Sequence, residues 1–223
     1  MKKFFLVCFF VISAGELLAL LLQFNMLAEI FKPGIMAALI AYYFVADESR
    51  SQSVIVAMCL SLLGDVLLML QTSANAMFMY GLLAFLLSHV FYILSYRQHR
   101  DKNESRGLQG VQRARFAFPF ILAGTGLIVI LYPFLGELKI PVMFYALVLI
   151  LMVLSALFRY GHTNAVSFWM VFCGAVLFMA SDSILAIDKF LEPVSHGTFW
   201  IMLTYCSAQF FIVSGLTKHT TGN

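Results

Sequence analysis

Glu16, Asp65, His89 and Asp182 each lie within a long apolar run, positions at which an ionisable side chain demands a reason. A carboxylate near the middle of a membrane helix costs on the order of 3 kcal/mol, so three of them point to a polar interior. Two carboxyl groups sharing a poorly hydrated site cannot both ionise cheaply, and such a pair splits into an acid and a base. Asp65 and Asp182 are therefore the candidate catalytic residues, and hydrolysis by proton transfer is the chemistry they suit. Tyr205 and Gln209, four residues apart, share one helix face, as do His89 and Tyr92, three apart, so each pair can hydrogen-bond across a polar cavity. A tyrosine or glutamine in a membrane helix also serves as glue between helices, which is the plainer reading of those two. The sequence carries no G-x-S-x-G elbow, H-E-x-x-H motif or P-loop, which argues against serine lipases, zinc metalloproteases and nucleotide-driven pumps. No metal and no cofactor is called for.

The elements that hold these residues follow from composition. Of 223 residues, 62% are hydrophobic and 11% charged, and the mean hydropathy is +0.92, which excludes a soluble globule. A bilayer core about 30 Å thick needs roughly 20 apolar residues in a helix. Eight such runs occur, at 4–22, 33–46, 52–70, 76–96, 116–135, 140–158, 165–187 and 197–216. The second is short, and can be extended backwards through 25–31 or stand as a tilted partial span. The first follows Lys2 and Lys3 but stays apolar past Ser13-Ala14-Gly15, so it reads as a retained helix rather than a cleaved signal. The fold class expected is all-α: a polytopic membrane protein with a bundle of eight transmembrane helices.

Charge orients that bundle. With both termini inside, all but Lys32, Lys139 and Lys189 of the 14 basic residues fall on the inner side, in keeping with the positive-inside rule. The polar stretch 97–115, with six of those basic residues, is expected to be an inner linker between a first part, 1–96, and a second, 116–223, of one membrane domain. Its charge is topogenic on the plain reading, and an anionic-lipid or partner site on the functional one. The net charge of +3 is too small and scattered for nucleic-acid binding. In this topology Glu16, Asp65 and Asp182 all lie in the outer part of their spans. Lys32, at the outer start of the second span beside a helix-opening Pro33, can reach inward to them. Cys8, Cys59, Cys173 and Cys206 show no C-x-x-C spacing and read as small apolar fillers.

A faint internal repeat crosses the linker. Leu63-Gly64-Asp65-Val66-Leu67-Leu68 parallels Ala180-Ser181-Asp182-Ser183-Ile184-Leu185, and Lys32-Pro33-Gly34-Ile35-Met36 parallels Lys139-Ile140-Pro141-Val142-Met143. Four spans per half would make two parallel halves.

Lys32-Pro33, Gly64-Asp65, Phe85-x-x-x-His89-x-x-Tyr92, the run Gly174 to Asp182 that includes Ser181, and Tyr205-x-x-Ala208-Gln209 together resemble the YhhN/TMEM86 lysoplasmalogenase family over nearly the whole chain. The resemblance implies an eight-helix membrane enzyme that hydrolyses the sn-1 vinyl ether of lysoplasmalogens to a fatty aldehyde and a glycerophospho-alcohol, with Asp65 and Asp182 as catalytic residues. Lys32 is then expected at the lipid phosphate, and Glu16, His89, Tyr92, Ser181, Tyr205 and Gln209 around the rest of the substrate. The expected partners are a lysophospholipid substrate and membrane lipid, and the expected location is a bacterial inner membrane. The alternative class is a small proton-coupled transporter or lipid-binding module, since intramembrane acids also serve transport. Helices broken by glycine or proline at matched mid-membrane positions would mark a transporter, whereas Pro33 and Pro141 lie at expected span starts.

Overall fold

In a bilayer every backbone N–H and C=O must be satisfied within the segment, which leaves the helix as the economical solution for apolar runs of this length. The computed structural model describes residues 1–47, 49–70, 75–101 and 107–219, and shows eight α-helices. They are α1 (Lys2–Leu21), α2 (Asn25–Ala46), α3 (Gln52–Met69), α4 (Asn75–Gln98), α5 (Val111–Leu131), α6 (Lys139–Leu157), α7 (Ala165–Phe190) and α8 (Gly197–Leu216). All eight are long and apolar enough to cross a membrane. Two short 3-10 turns, Tyr132–Phe134 and Gly136–Leu138, join α5 to α6.

Two boundaries differ from the sequence expectation. The second helix takes up the backward extension to Asn25, so Lys32 and Pro33 lie inside it rather than at its start. Proline has no N–H to donate, but a membrane helix continues through it, and α2 does so at Pro33 as α5 does at Pro119. The basic stretch 97–115 also shrinks, because α4 runs on to Gln98 and α5 begins at Val111, drawing Arg113 and Arg115 into its first turns. Lys102 and Arg106 lie outside the described residues.

The chain divides into two compact units, Met1–Tyr92 and Ile93–Asn223. In the first, α1 and α2 pack as an antiparallel hairpin. A Cβ on Gly15 would lie 3.2 Å from the Phe31 ring and one on Gly34 would lie 3.4 Å from Ile12, while Lys2 Nζ donates to the Ala46 carbonyl at 3.2 Å. The α3–α4 seam is tighter. Cβ atoms on Gly64 and Gly81 would stand 2.7 Å from Phe85 and Leu68, so each glycine lets a large side chain of the facing helix reach the backbone. A short polar ladder runs beside it, with Ser61 and Ser88 hydroxyls 2.8 Å apart and Ser88 donating to the Ala57 carbonyl at 2.8 Å.

In the second unit α7 and α8 approach backbone to backbone. A Cβ on Gly174 would be 2.9 Å from the Ala208 carbonyl, and one on Gly215 would be 2.9 Å from the Val171 nitrogen. Ser167 Oγ closes the same seam by donating to the Gly215 carbonyl at 2.7 Å. Asn164 caps α7 by accepting from the Ser167 N–H at 2.8 Å. Beside this cap lies Arg159, a fully buried arginine that composition alone marks only as a topogenic cation. Its guanidinium donates to Ser167 Oγ at 2.9 Å and to the His99 carbonyl at 3.2 Å, tying the end of α4 to the start of α7. Burial pushes that guanidinium down to about 10, so it remains a cation at neutral pH.

Candidate functional site

Each compact unit carries an acidic centre. In the first unit the buried face of α1 is formed by Phe9, Ser13, Glu16 and Ala19. Glu16 is 1% exposed, and among the described residues its Oε2 has no hydrogen-bond partner, nor has the Ser13 hydroxyl one turn away. Lys32 of α2 and Asp65 of α3 are close enough to act on Glu16 electrostatically. Asp65 is itself 3% exposed. Three helices thus bring together Glu16, Lys32 and Asp65, one cation with two carboxylates, and the placement of Lys32 within α2 is what gives it that depth. The glycine before Asp65 has a local purpose. With no Cβ at position 64, the Phe85 ring of α4 seats against α3 at the turn that carries the carboxylate. His89 and Tyr92, one and two turns further along α4, are fully buried in the same unit.

The second unit holds Asp182, half-buried on α7. Tyr145 of α6 donates its hydroxyl proton to Asp182 Oδ2 at 2.5 Å. This short hydrogen bond fixes the orientation of the carboxyl group. Both groups open into a small cavity of about 50 Å³ between α5, α6 and α7, whose other walls include Leu127, Leu131, Val142 and Met179. A water occupies roughly 30 Å³ in the liquid, so the space suits one or two small groups beside a wall that is apolar apart from Ser183.

Ser181, the neighbour of Asp182, faces a different partner. Its hydroxyl donates to the Ile201 carbonyl of α8 at 3.0 Å, so it joins helices. Tyr205 packs edge-to-face on Phe178 with ring centres 5.5 Å apart, and Gln209 lies one turn on, fully buried. The α7 helix therefore presents Asp182 to α6 and Ser181 with Phe178 to α8.

Sequence reasoning missed Tyr145. Within the apolar run 140–158 only Tyr145 and Ser155 carry side-chain hydroxyls, and that scarcity was the available signal. A tyrosine is cheap in a membrane, however, and nothing local ties it to an aspartate 37 residues away.

Known proteins resemble this chain in sequence. The chain is 34% identical over 198 residues to a protein of Mycobacterium tuberculosis named lysoplasmalogenase, covering 85% of this chain and 70% of that one. It is 29% identical over 137 residues to human lysoplasmalogenase TMEM86B, covering 61% of this chain and 53% of the human protein, so the match spans about half of that relative's length. Bovine lysoplasmalogenase TMEM86A is 28% identical over 173 residues, covering 76% of this chain and 67% of its own. No solved structure matches. The model of the YhhN family matches residues 27–216, which takes in Lys32, both aspartates, Tyr145 and the α8 pair, and this chain belongs to the YhhN family.

Proposed function

We propose that this protein is a membrane-embedded ether hydrolase that cleaves the vinyl-ether bond of lysoplasmalogen-like lysolipids, with Asp65 and Asp182 as its acid–base residues. The observation that carries the reading is the Asp182 carboxyl group, oriented by Tyr145 and opening into a small, mainly apolar cavity within a membrane helix bundle. Relatives named lysoplasmalogenase support the same substrate class.

A vinyl ether is cleaved by delivering a proton to the carbon once removed from the ether oxygen. The resulting oxocarbenium ion is captured by water, which loses a proton to give a hemiacetal, and the hemiacetal collapses to aldehyde and alcohol. One aspartate supplies the first proton as a carboxylic acid. The other, as a carboxylate, stabilises the cation and takes the proton from water. The mainly apolar wall beside Asp182 keeps bulk water away from the carboxyl group and leaves room for the water that attacks. Lys32 acts on the lipid phosphate, and Glu16, His89, Tyr92, Ser181, Tyr205 and Gln209 shape the cavities around the substrate.

The proposal places the protein in a bacterial inner membrane with both termini on the inner side. A reporter fused after Lys218 should then read inside and one inserted near Glu192 outside; the opposite pair of results overturns the topology. The enzymatic reading is tested by incubating purified protein in detergent, with no gradient, with a vinyl-ether lysolipid. Release of fatty aldehyde is the expected result. No aldehyde from well-folded protein, tried also with saturated-ether and ester lysolipids, overturns it and leaves transport or lipid binding. The spans at Pro33 and Pro119 stay helical through the proline, which gives the transporter reading no broken helix at those positions.

A further inference from the structure

The small cavity at Asp182 has a larger neighbour on the same three helices. A groove of about 790 Å³ is walled by Phe116 and Phe120 of α5, Leu157 of α6, and Phe168, Trp169 and Phe172 of α7. That volume lies within the roughly 300–1,000 Å³ range of small-molecule sites. The rings form one continuous wall, Phe168 stacked on Phe172 with centres 5.6 Å apart and Phe120 edge-on to Phe172 at the same distance.

The spacing of the linings shows that groove and cavity belong to one seam. On α5 the groove reaches Phe120 and the Asp182 cavity begins at Gly124, one helical turn on. On α6 the two linings meet at Leu157 and Ile150, and on α7 at Phe172 and Met179, two turns apart in each case. Between them stand flexible side chains. The Ile150 side chain lies 2.5 Å from where a Gly124 Cβ would be, and Met179 Cε lies 3.2 Å from it, so the absent Cβ leaves room for these two side chains between groove and cavity. Phe172 and Asp182, ten residues apart, are separated by about 15 Å along α7.

The lining of the groove also includes Gly107 and Leu108, which precede α5. Leu108, 8% exposed, packs with Ala117 and Leu157, and Arg113 Nε donates to its carbonyl at 2.5 Å. A Cβ on neighbouring Gly107 would collide with His162 Nε2, so this segment is seated directly on the loop between α6 and α7.

We propose that the α5–α6–α7 seam is the binding track for the hydrocarbon tail of the lysolipid, with the reacting ether at Asp182 and Tyr145, the distal tail in the aromatic groove, and Leu108 as the stop that sets tail length. The polarity of the seam matches the polarity of the molecule. The Asp182 carboxyl with the Tyr145 and Ser183 hydroxyls lies at one end, and mainly aromatic and aliphatic walls follow, with Gln112, Tyr160 and Trp169 carrying the polar side-chain atoms of the groove. This inference rests on the hydrolase reading for what happens at Asp182, but the tail site itself does not require turnover.

Two measurements test it separately. The first is the ratio of kcat/KM for a long-chain over a short-chain vinyl-ether lysolipid. Leu157→Phe, which fills the groove, should lower that ratio about tenfold, and Leu108→Ala, which removes the stop, should raise it about threefold, since single methylenes in apolar pockets discriminate on this scale. A ratio unchanged in both folded variants overturns the proposal. The second needs no catalysis. In a Trp200→Phe background Trp169 is the remaining tryptophan. A lysolipid brominated near its terminal methyl should quench that fluorescence saturably and in competition with unbrominated lysolipid, and one brominated near the glycerol should quench it far less. Quenching that is equal for both positions, or that does not saturate, means that bulk lipid or detergent fills the groove, and overturns the tail site. Saturable distal quenching in a protein that releases no aldehyde keeps the tail site while the hydrolase reading falls.

Discussion

Asp65 and Asp182 each lie inside a long apolar helix, yet the two compact units surround them differently. Asp65 is almost fully buried and belongs to a charged cluster in which Lys32 and Glu16 lie within electrostatic range of one another. Asp182 is half-buried, takes a neutral partner in the Tyr145 hydroxyl, and faces a cavity with mainly apolar walls. A carboxylate among charges is governed by Coulomb interactions that fall off slowly. One that accepts a directional hydrogen bond from a neutral hydroxyl is governed more by geometry, because that bond weakens steeply when its angle or length changes. The first centre should therefore respond mainly to the sum of nearby charges, and the second to the exact placement of one oxygen.

The largest effect tests whether the two centres serve one reaction. Asp65→Asn and Asp182→Asn keep the side-chain volume and remove a costly charge, so both proteins should fold at least as well as the parent. Each should turn over at least about a hundredfold more slowly, the lower end of what acid–base assistance contributes. If the carboxylates act as a unit, the double variant should be little worse than either single one. Folded asparagine variants with parental rates of aldehyde release would remove the acid–base mechanism. His89→Gln, which spares both carboxylates, serves as the milder comparison.

A smaller effect addresses the second centre alone. Tyr145→Phe deletes the 2.5 Å hydrogen bond and nothing else of the ring, and hydrogen bonds to charged groups are worth enough to slow turnover about 10- to 100-fold. Tyr145 is a positioning residue, so its loss should also move the pH profile of turnover and have no further effect in the Asp182→Asn background. An additive loss in that background would show that the hydroxyl acts independently of Asp182.

The smallest concerns the first centre and is read as stability. Lys32→Met leaves Glu16 and Asp65 without their cation. It should lower unfolding free energy in detergent by about 1–2 kcal/mol, less than the ~3–5 of a fully buried pair because Lys32 is half-buried. Adding Glu16→Gln should recover most of that loss. If the second change destabilises further, the cluster is held by specific contacts and not by its charge sum, and the contrast with the Asp182 centre disappears.

Much of the fold is legible in the sequence because lipid imposes a simple demand. A run of about 20 apolar residues must be a helix if it is to cross, so seven of the eight expected spans match their helices to within a few residues. The exception is α2, where the polar residues Asn25, Glu29 and Lys32 left the start open between a backward extension and a partial span, and the structure takes the extension. The carboxylates were legible for the converse reason, since a charge in an apolar run is too costly to be idle. What could not be read was direction and partnership. Ser181 and Asp182 are adjacent, and only the packing of α7 between its neighbours decides that one bonds the α8 backbone while the other meets Tyr145. Arg159 likewise counts as one more inner cation in the sequence, and becomes a buried tie through Ser167 and the His99 carbonyl only once three helix ends converge on it. The sequence by itself determined the helices, the family and the costly groups, because each is set by local hydropathy or by matched residues in order. The tertiary structure decided which groups meet, because a hydrogen bond depends on the register between helices, and side chains 37 residues apart are placed only when the helices between them are packed.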